Sequence, residues 1–580
     1  MKRKAFILVM AILMAFTAVS CGPAVIPDDS EGKTPIKISL YGGGHGTEYM
    51  DVLIAKFLEA HPEYKENYKI SYEEEKLHAG LIQDELEAGY GEKQIYVMSH
   101  NDFVHFIYSD YLEDLSDVAE MKVDGEDKPA LKDKMTRYEE WQSIYSNKGE
   151  GLYAMPYAES VMGFVYDHEL FVNSGWYEFA SEAVDGAALK KQGISYTEQN
   201  GKLIFQSSTG KVNYKQGDKI LTAGKDGKYG TYDDGQPQDV AAWDNMIRKI
   251  SVGNKAFIAS GKVGSYASHI VSALFAQYSG IDAYNTYFTY DSKGEPVALA
   301  EGTQAVITLE NGYKVNSMEG VYKAYEFLSK YFDSRQQSNL ISLHPAVEDG
   351  TQNHRDAQNL FLLGYQKAQS NPQSAMLLEG AWWEYEARSM FETVGKLDAN
   401  RAYGKRDYRY MLLPELDGQV STKSAISCCE SGAMIVPKDS NKERLKVTKE
   451  FLAYMASDEA LNIFLTMTGS LMPYRYTLTA EEEAKLTPFT RNMIELYSDS
   501  EHIDVVRPQI AALYSPISYA GGRDNTYFQP RISGVALDQP FKIVREQSLD
   551  AIKTGLANYY TAADWASYIQ RAKEQGFFKE

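Results

Sequence analysis

The feature that most constrains the fold is a repeated strand–helix–strand pattern near the start of the chain. Apolar and polar residues alternate in two segments, as in half-buried strands, and a short apolar run forms a third strand segment. Segments with apolar residues at helical spacing lie between them. The strand segments are 36–40, 68–72 and 95–98, and the helical segments are 50–58 and 81–86. This order predicts a parallel sheet with helices on its faces, and therefore an α/β fold.

Ligands of such sheets bind at the carboxyl ends of the strands, so the residues that follow the strands are the first candidates for a site. Tyr41 and His45 flank a glycine-rich turn after the first strand, and Asn101 and Asp102 follow the third. We predict that all four contact a ligand, and the amide and carboxylate groups suit hydroxyl groups. Thr47 is predicted to cap the helix that follows the turn.

The glycine-rich turn contains Gly42, Gly43, Gly44 and Gly46, a composition that also occurs in nucleotide-binding motifs. A dinucleotide fingerprint needs a further glycine at the position of Thr47, and no Gly-Lys-Ser/Thr follows for a phosphate-binding loop. Nucleotide binding is therefore not indicated. Two interpretations stay open: the glycines leave room for a ligand close to the backbone, or the turn alone requires them.

The first residues have the pattern of an export signal. Basic residues at 2–4 precede an apolar run over 5–19, which is short for a bilayer crossing, and residues 18–21 look like a bacterial lipobox. We predict a lipoprotein signal peptide over 1–20, a lipidated Cys21, and a flexible tether over 21–35. The folded part then lies outside the cytoplasm, anchored by lipid to the outer face of the cell membrane. A secretory signal that leaves a free protein is the alternative.

The composition fits a globular body and excludes some partners. Of 580 residues, 44% are hydrophobic and 24% are charged, which is typical of a globular chain. The net charge of −21 disfavours nucleic acid and anionic lipid head groups as partners. Only three cysteines occur, so no disulfide scaffold is expected. The neighbours Cys428 and Cys429 form either a reduced pair or a strained vicinal disulfide that places an apolar plate in a cleft.

Four separated blocks carry a resemblance to a known family. They are the strand and turn 36–46 with the next helix, IYVMSHNDF at 95–103 with YLEDL at 111–115, GLYAMPY at 151–157 leading to 163–171, and LLEGAWW at 377–383 leading through GAMIVP at 432–437 to 441–455. In order and spacing they resemble the extracellular solute-binding proteins of family 1, including the maltose-binding proteins. These proteins deliver ligands, mostly sugars, to ABC importers.

The resemblance implies a two-lobe fold of the periplasmic-binding-protein type II class, with a hinge and an interlobe ligand cleft. The implied bounds are 36–157 and 433–473 for the N-terminal lobe, 158–432 and 474–580 for the C-terminal lobe, and about 181–235 for an insertion. The implied protein is a monomer whose lobes close on a carbohydrate and then present a surface to the permease subunits of an ABC transporter.

Sugar binding has physical requirements that single out further residues. A pyranose needs flat aromatic rings for its apolar faces and carboxylates or amides for its hydroxyls. Trp382 and Trp383 follow a predicted strand at 374–378 and cannot both face the core, so one of them is the predicted stacking platform. The alternative buries one and packs the other on a lobe surface. Tyr157 and Glu159 lie at the implied hinge and are predicted to face the cleft.

Two further residues and one acidic loop are weaker candidates for a site. Tyr474 and Arg475 follow Pro473, and Arg475 fits a solvated surface group better than a ligand contact. Residues 224–235 place Asp226, Asp233 and Asp234 among four glycines, a composition that suits calcium. The spacing does not match an EF-hand, and an acidic hairpin loop is the alternative.

The sequence favours a binding protein over an enzyme. His-Glu-x-x-His and Gly-x-Ser-x-Gly are absent, and the ten histidines show no metal-ligand spacing. We therefore expect no catalysis and no required cofactor, and the expected ligand is a carbohydrate, with an oligosaccharide favoured. The alternatives are a cell-surface glycosidase that uses paired carboxylates, and a peptide-binding or adhesion lipoprotein.

Overall fold

The structure is a computed structural model that describes residues 32–75, 79–88, 92–98, 103, 106–107, 109–142, 151–178, 196–199, 202–206, 211–215, 221–348, 350–367, 371–508, 532 and 539–574. The predicted signal peptide, Cys21, most of the predicted tether, Asn101 and Asp102 lie outside these residues. Within them, no helix combines the length and the apolar character that a membrane crossing requires.

The described residues form fourteen strands, and β1 to β3 match the three strands that the sequence predicts. The strands are β1 Thr34–Leu40, β2 Tyr68–Glu74, β3 Ile95–Met98, β4 Met155–Asp167, β5 Tyr196–Gln199, β6 Lys202–Gln206, β7 Lys211–Lys215, β8 Lys255–Ile258, β9 Pro296–Ala298, β10 Gln304–Val306, β11 Ser374–Gly380, β12 Tyr408–Met411, β13 Ser424–Ile435 and β14 Ile503–Val506. β1 begins inside the segment predicted as tether.

Nine of the described strands form one mixed sheet in the order β2-β1-β3-β13-β4-β11-β8, with β12 paired to β4 and β14 to β13. β1 is parallel to β2 and β3, as predicted. The long strands β4 and β13 pair antiparallel with each other. β13 also pairs with β3 at one end and β14 at the other, while the far end of β4 pairs with β11 and β12. β4 and β13 therefore run through both halves of the sheet.

Two small sheets lie apart from the main one. β5, β6 and β7 form an antiparallel sheet inside the predicted insertion, and β9 pairs antiparallel with β10. The α-helices are Glu48–Ala60, Pro62–Asn67, Ala79–Glu87, Ser116–Ala119, Leu131–Lys134, Tyr138–Trp141, His168–Ser174, Val240–Ile250, Tyr266–Ser279, Ile281–Thr289, Glu319–Phe332, Pro345–Glu348, His354–Leu363, Trp383–Glu386, Arg388–Leu397, Lys442–Tyr454, Asp458–Thr468, Ala480–Lys485, Pro488–Ser498, Pro540–Glu546, Leu549–Ala557 and Ala562–Glu574.

Buried apolar side chains form separate clusters on the two halves of the main sheet. One cluster takes its residues from 36–158 and 433–474, and we call it the N-terminal core. Two clusters take theirs from 161–429 and 489–568, and we call them together the C-terminal core. The helix Lys442–Tyr454 buries its apolar face in the N-terminal core, where Leu445, Phe451 and Leu452 lie at helical spacing. The lobe boundaries given above stay a prediction.

Local sequence explains where several helices begin and end. The side chains of Asn441 and Ser457 accept hydrogen bonds from the first turns of the helices that follow them, and Gly469, with φ 72°, ends the helix Asp458–Thr468. The cap predicted at Thr47 is wrong, because its side chain makes no capping bond and its backbone is not in the extended conformation that a cap adopts. Its N–H donates instead to the Glu48 carboxylate at 3.1 Å.

Candidate functional site

The glycine-rich turn of the N-terminal core packs against an indole beside the C-terminal core. A Cβ on Gly44 would lie 2.4 Å from Cδ1 of Trp382, and a Cβ on Gly380, at the end of β11, would lie 2.5 Å from Cη2 of the same ring. Neither glycine has a positive φ. The close approach of the indole, rather than backbone conformation, therefore requires glycine at both positions.

Polar contacts join the two halves beside this indole. The Tyr385 hydroxyl donates to Oε2 of Glu48 at 2.9 Å, and Nη2 of Arg388 donates to the Met467 carbonyl at 2.8 Å. The Arg388 guanidinium lies 3.8 Å from the centroid of the Tyr385 ring. Hydrogen bonds from its own backbone N–H and from Tyr385 lower the pKa of Glu48. We call the surface where Gly44, Trp382 and Tyr385 meet the seam.

The two adjacent tryptophans have different environments. β11 ends at Gly380, so the pair lies at a helix start rather than on a strand. Trp383 is fully buried, with the Tyr408 ring 5.0 Å away in an edge contact. Trp382 is half-buried and lies 6.5 Å from the Tyr266 ring. Only Trp382 reaches the seam, so the stacking role that was predicted for one of the pair falls to Trp382 and stays a prediction.

His45 is held by protein side chains on both sides of its ring. This residue is 1% exposed, with Nδ1 2.6 Å from Oγ of Ser470 and Nε2 2.7 Å from Oε2 of Glu430 on β13. Both ring nitrogens have protein partners, so His45 ties the turn to the long strand β13, and its ligand contact stays a prediction. Tyr41 is half-buried with its ring against Gly43, and its ligand contact stays a prediction.

Tyr157 also lies away from any open surface. It is fully buried, its hydroxyl is 2.5 Å from that of Tyr49, and its ring meets the edge of Phe464. The helices Glu48–Ala60 and Asp458–Thr468, which carry these two partners, cover this face of β4. Tyr157 therefore packs in the N-terminal core, and its ligand contact stays a prediction.

Glu159 faces a cavity of about 680 Å³ rather than the seam. It is 4% exposed and accepts hydrogen bonds from Nε of Arg507 at 2.8 Å and from Nη2 of Arg137 at 3.2 Å. Burial alone would raise the pKa of Glu159, and the two arginines outweigh it and lower the pKa. Tyr474 is buried with its hydroxyl on the Pro156 carbonyl, and Arg475 is exposed, as expected.

Sequence reasoning missed Tyr266, Tyr385 and Arg388. Tyr385 follows Trp382 by three residues, a spacing that places both on one side of a helical turn. That spacing was the available signal, because the residues 382–386 run from a predicted strand end into a short helix. Tyr266 has no such local signal, since the helix Tyr266–Ser279 comes from a distant part of the chain.

A buried carboxyl group lies one residue before Gly380. Oε1 of Glu379 accepts a hydrogen bond from Nε2 of Gln358 at 3.2 Å, and the same amide donates to Oε2 of Glu386 at 2.7 Å. Burial, followed by the nearby Glu386 charge, raises the pKa of Glu379 from its ordinary 4.5 to about 8. Glu379 is therefore largely a neutral acid at pH 7.

We expect Glu379 to make stability pH-dependent. Because its pKa is higher in the folded state, its contribution is complete below about pH 4.5 and is lost as the pH rises towards 8. Glu379→Gln should therefore flatten the fall in unfolding free energy between pH 5 and pH 8, by up to about 1.4 kcal/mol per pH unit. Urea titrations at four pH values measure this slope. The exposed-site variant Glu59→Gln should keep the wild-type slope. An unchanged slope in Glu379→Gln would contradict the raised pKa of Glu379.

The carboxylates of the predicted calcium loop are engaged by the loop itself. Oδ2 of Asp233 accepts hydrogen bonds from the N–H groups of Lys225 at 2.6 Å and Asp226 at 3.2 Å, and Oδ2 of Asp234 accepts from Gly230 at 2.7 Å. Burial raises the pKa of Asp233 to about 6 and that of Asp234 to about 8. Within the described ranges, no group of three or more His, Cys, Asp or Glu is arranged to hold a metal ion. Calcium binding stays an untested prediction.

Cys428 and Cys429 are free, buried thiols on β13. Their sulfurs lie 2.8 Å from the Glu430 carbonyl and 3.4 Å from the Ser160 carbonyl, respectively, and burial raises the pKa of both thiols. We expect iodoacetamide to label neither thiol in the native protein and both in denaturant without reductant, as measured by the mass of the peptide that contains them. Labelling that requires a reductant would establish the vicinal disulfide instead.

No protein-family model and no curated protein sequence matches the chain. Several solved structures match the chain in fold. A "probable secreted solute-binding lipoprotein" from Streptomyces coelicolor superposes with a TM-score of 0.53 at 10% identity, over 92% of this chain and 99% of its own. Apo RafE from Streptococcus pneumoniae superposes with a TM-score of 0.51 at 12% identity, over 92% of this chain and 98% of its own. The bacterial solute receptor AcbH superposes with a TM-score of 0.51 at 13% identity, over 93% of this chain and 100% of its own.

The chain has the two-lobe fold of these solute-binding proteins. The likeness confirms the α/β fold with a hinge and an interlobe cleft that the sequence blocks imply. β4 and β13 run through both halves of the main sheet, and the seam lies between the N-terminal core and the C-terminal core. RafE is also described in complex with raffinose.

Proposed function

We propose that this protein is the extracytoplasmic receptor of an ABC importer and that it binds a carbohydrate, with an oligosaccharide favoured, between its lobes. The observation that carries the proposal is the half-buried indole of Trp382 at the seam, beside Tyr266 and the glycine-rich turn. A flat aromatic ring at a cleft suits the apolar face of a pyranose. The neighbours support the same class, since RafE is described with raffinose and AcbH with a preference for β-D-galactopyranose.

The contacts at the seam suggest how closure works. A sugar stacked on Trp382 contacts the C-terminal side first, and the glycine-rich turn then approaches because Gly44 leaves room for the ring. The bonds from Tyr385 to Glu48 and from Arg388 to Met467 join the halves in this state. A ligand that bridges the lobes shifts the population towards closure, and the closed surface is the one offered to the permease subunits. Lipid at Cys21 holds the receptor at the membrane.

Calorimetric titration with a panel of mono- and oligosaccharides tests the proposal. We expect saturable binding with one site per chain and unchanged sugar when the mixture is analysed by chromatography afterwards. Released hydrolysis products would support the paired-carboxylate glycosidase instead. Binding of peptides with no carbohydrate binding would contradict the proposal and support a peptide-binding lipoprotein.

A further inference from the structure

The cavity of about 680 Å³ beside Glu159 is separate from the seam. One wall comes from residues 136–137 and 471–478, and the other comes from residues 494–507 with Lys423. Among the described residues, neither the glycine-rich turn nor Trp382 lines it. Its volume is within the range of about 300–1,000 Å³ that small-molecule sites occupy.

The charge of the cavity is opposite to that of the chain. Among the described residues that line it, Arg137, Arg475, Arg507 and Lys423 are cationic, and only Glu159 and Asp504 are anionic. Lys423 lies 3.4 Å from Asp504 and Glu159 is shared by two arginines, so positive charge remains in excess. In a chain with a net charge of −21, such a surface favours an anion.

Two buried donors at this cavity have no hydrogen-bond partner among the residues that the structure describes. Nε of Arg137 is 3.2 Å from Oε2 of Glu140 but outside hydrogen-bond geometry, and the Tyr497 hydroxyl is likewise unpaired. Tyr497 lies close enough to Glu159 and Arg507 for their charges to act on it. Buried donors are rarely left unpaired, because their desolvation is then uncompensated. An acceptor oxygen placed against either donor would satisfy that donor.

Most of the remaining lining is apolar or aromatic, including Pro473, Tyr476, Leu478 and Ile494, and three small polar residues, Thr136, Ser498 and Ser500, complete it. Guanidinium groups match the geometry of carboxylates and phosphates, and an apolar wall suits the body of an organic molecule. We propose that this cavity is a second binding site that takes a small organic anion, in which one carboxylate or phosphate is attached to an apolar or aromatic body. Arg137 and Tyr497 contact the anionic group, and the apolar wall contacts the body.

Calorimetric titrations of the full chain, without sugar, test this site with matched probes. Benzoate and benzamide have the same size and differ in charge, and phenyl phosphate supplies the phosphate form. We expect saturable benzoate or phenyl phosphate binding at one site per chain, with benzamide at least about tenfold weaker, as the loss of a charge-assisted hydrogen bond implies. Arg137→Gln and Tyr497→Phe should each weaken binding of the anionic probe by about tenfold, because each loses one hydrogen bond to it.

The controls separate this site from the seam. Arg571→Gln removes an exposed cation from the helix Ala562–Glu574 and should leave anion binding unchanged, as should Trp382→Ala. Equal binding of benzamide, loss of binding in Trp382→Ala, or no binding of either anionic probe would each overturn the second site. Since no sugar is present, these outcomes do not depend on whether the carbohydrate proposal holds.

Discussion

Trp382→Ala is expected to weaken carbohydrate binding by about thirtyfold, or roughly 2 kcal/mol, the scale of a lost aromatic anchor. Its ring is half-buried at the seam, so its loss should leave folding largely intact. Trp383→Ala should instead lower the unfolding free energy by about 3–5 kcal/mol, because it empties a fully buried site packed against Tyr408. Calorimetry and denaturant titration on both variants measure the two effects.

Each of the two variants is a control for the other, because both replace a tryptophan by an alanine at neighbouring positions. Trp382→Phe keeps an aromatic face and should recover most of the affinity that Trp382→Ala loses. Unchanged affinity in Trp382→Ala would remove the stacking assignment. A Trp382→Ala protein as unstable as Trp383→Ala would show that Trp382 is a core residue in solution.

Gly44→Ala is expected to oppose lobe closure. The new Cβ would lie 2.4 Å from Cδ1 of Trp382, so the turn and the indole must separate. Overpacking of this kind costs about 1–3 kcal/mol, and because the strain arises only with the halves together, affinity should fall by about fivefold to 150-fold. Small-angle scattering should show that saturating sugar compacts the wild-type protein more than it compacts this variant.

A matched glycine variant isolates the contact. Gly350→Ala adds the same methyl group where no other atom lies within 4 Å and φ is not positive, so it should bind sugar as the wild type does. Equal affinity and equal compaction in Gly44→Ala would mean that the turn does not approach Trp382 when ligand binds.

The predictable part of the fold is the part that local patterns decide. The alternation in 36–40 and 68–72 and the apolar run 95–98 correspond to β1, β2 and β3, and the apolar spacing of the helix Lys442–Tyr454 gives its buried face. These patterns work because a strand or helix buries one side regardless of what covers it. They did not predict that β4 and β13 pair antiparallel and make the sheet mixed.

The site was less predictable because its contacts are distant in sequence. His45 and its partner Ser470 are 425 positions apart, and the face of β4 that carries Tyr157 is covered by a helix that contains Phe464. No local pattern shows which side of a strand a distant helix will cover. The sequence therefore indicated that Trp382 and Trp383 differ, but not which of them reaches the seam.

A crystal structure with the tightest-binding sugar of the panel tests the central claim most directly. The account predicts a sugar ring stacked on Trp382, with protein contacts from both lobes. Sugar bound only away from the seam, for example in the cavity beside Glu159, or a Trp382 ring that contacts no ligand, would contradict it.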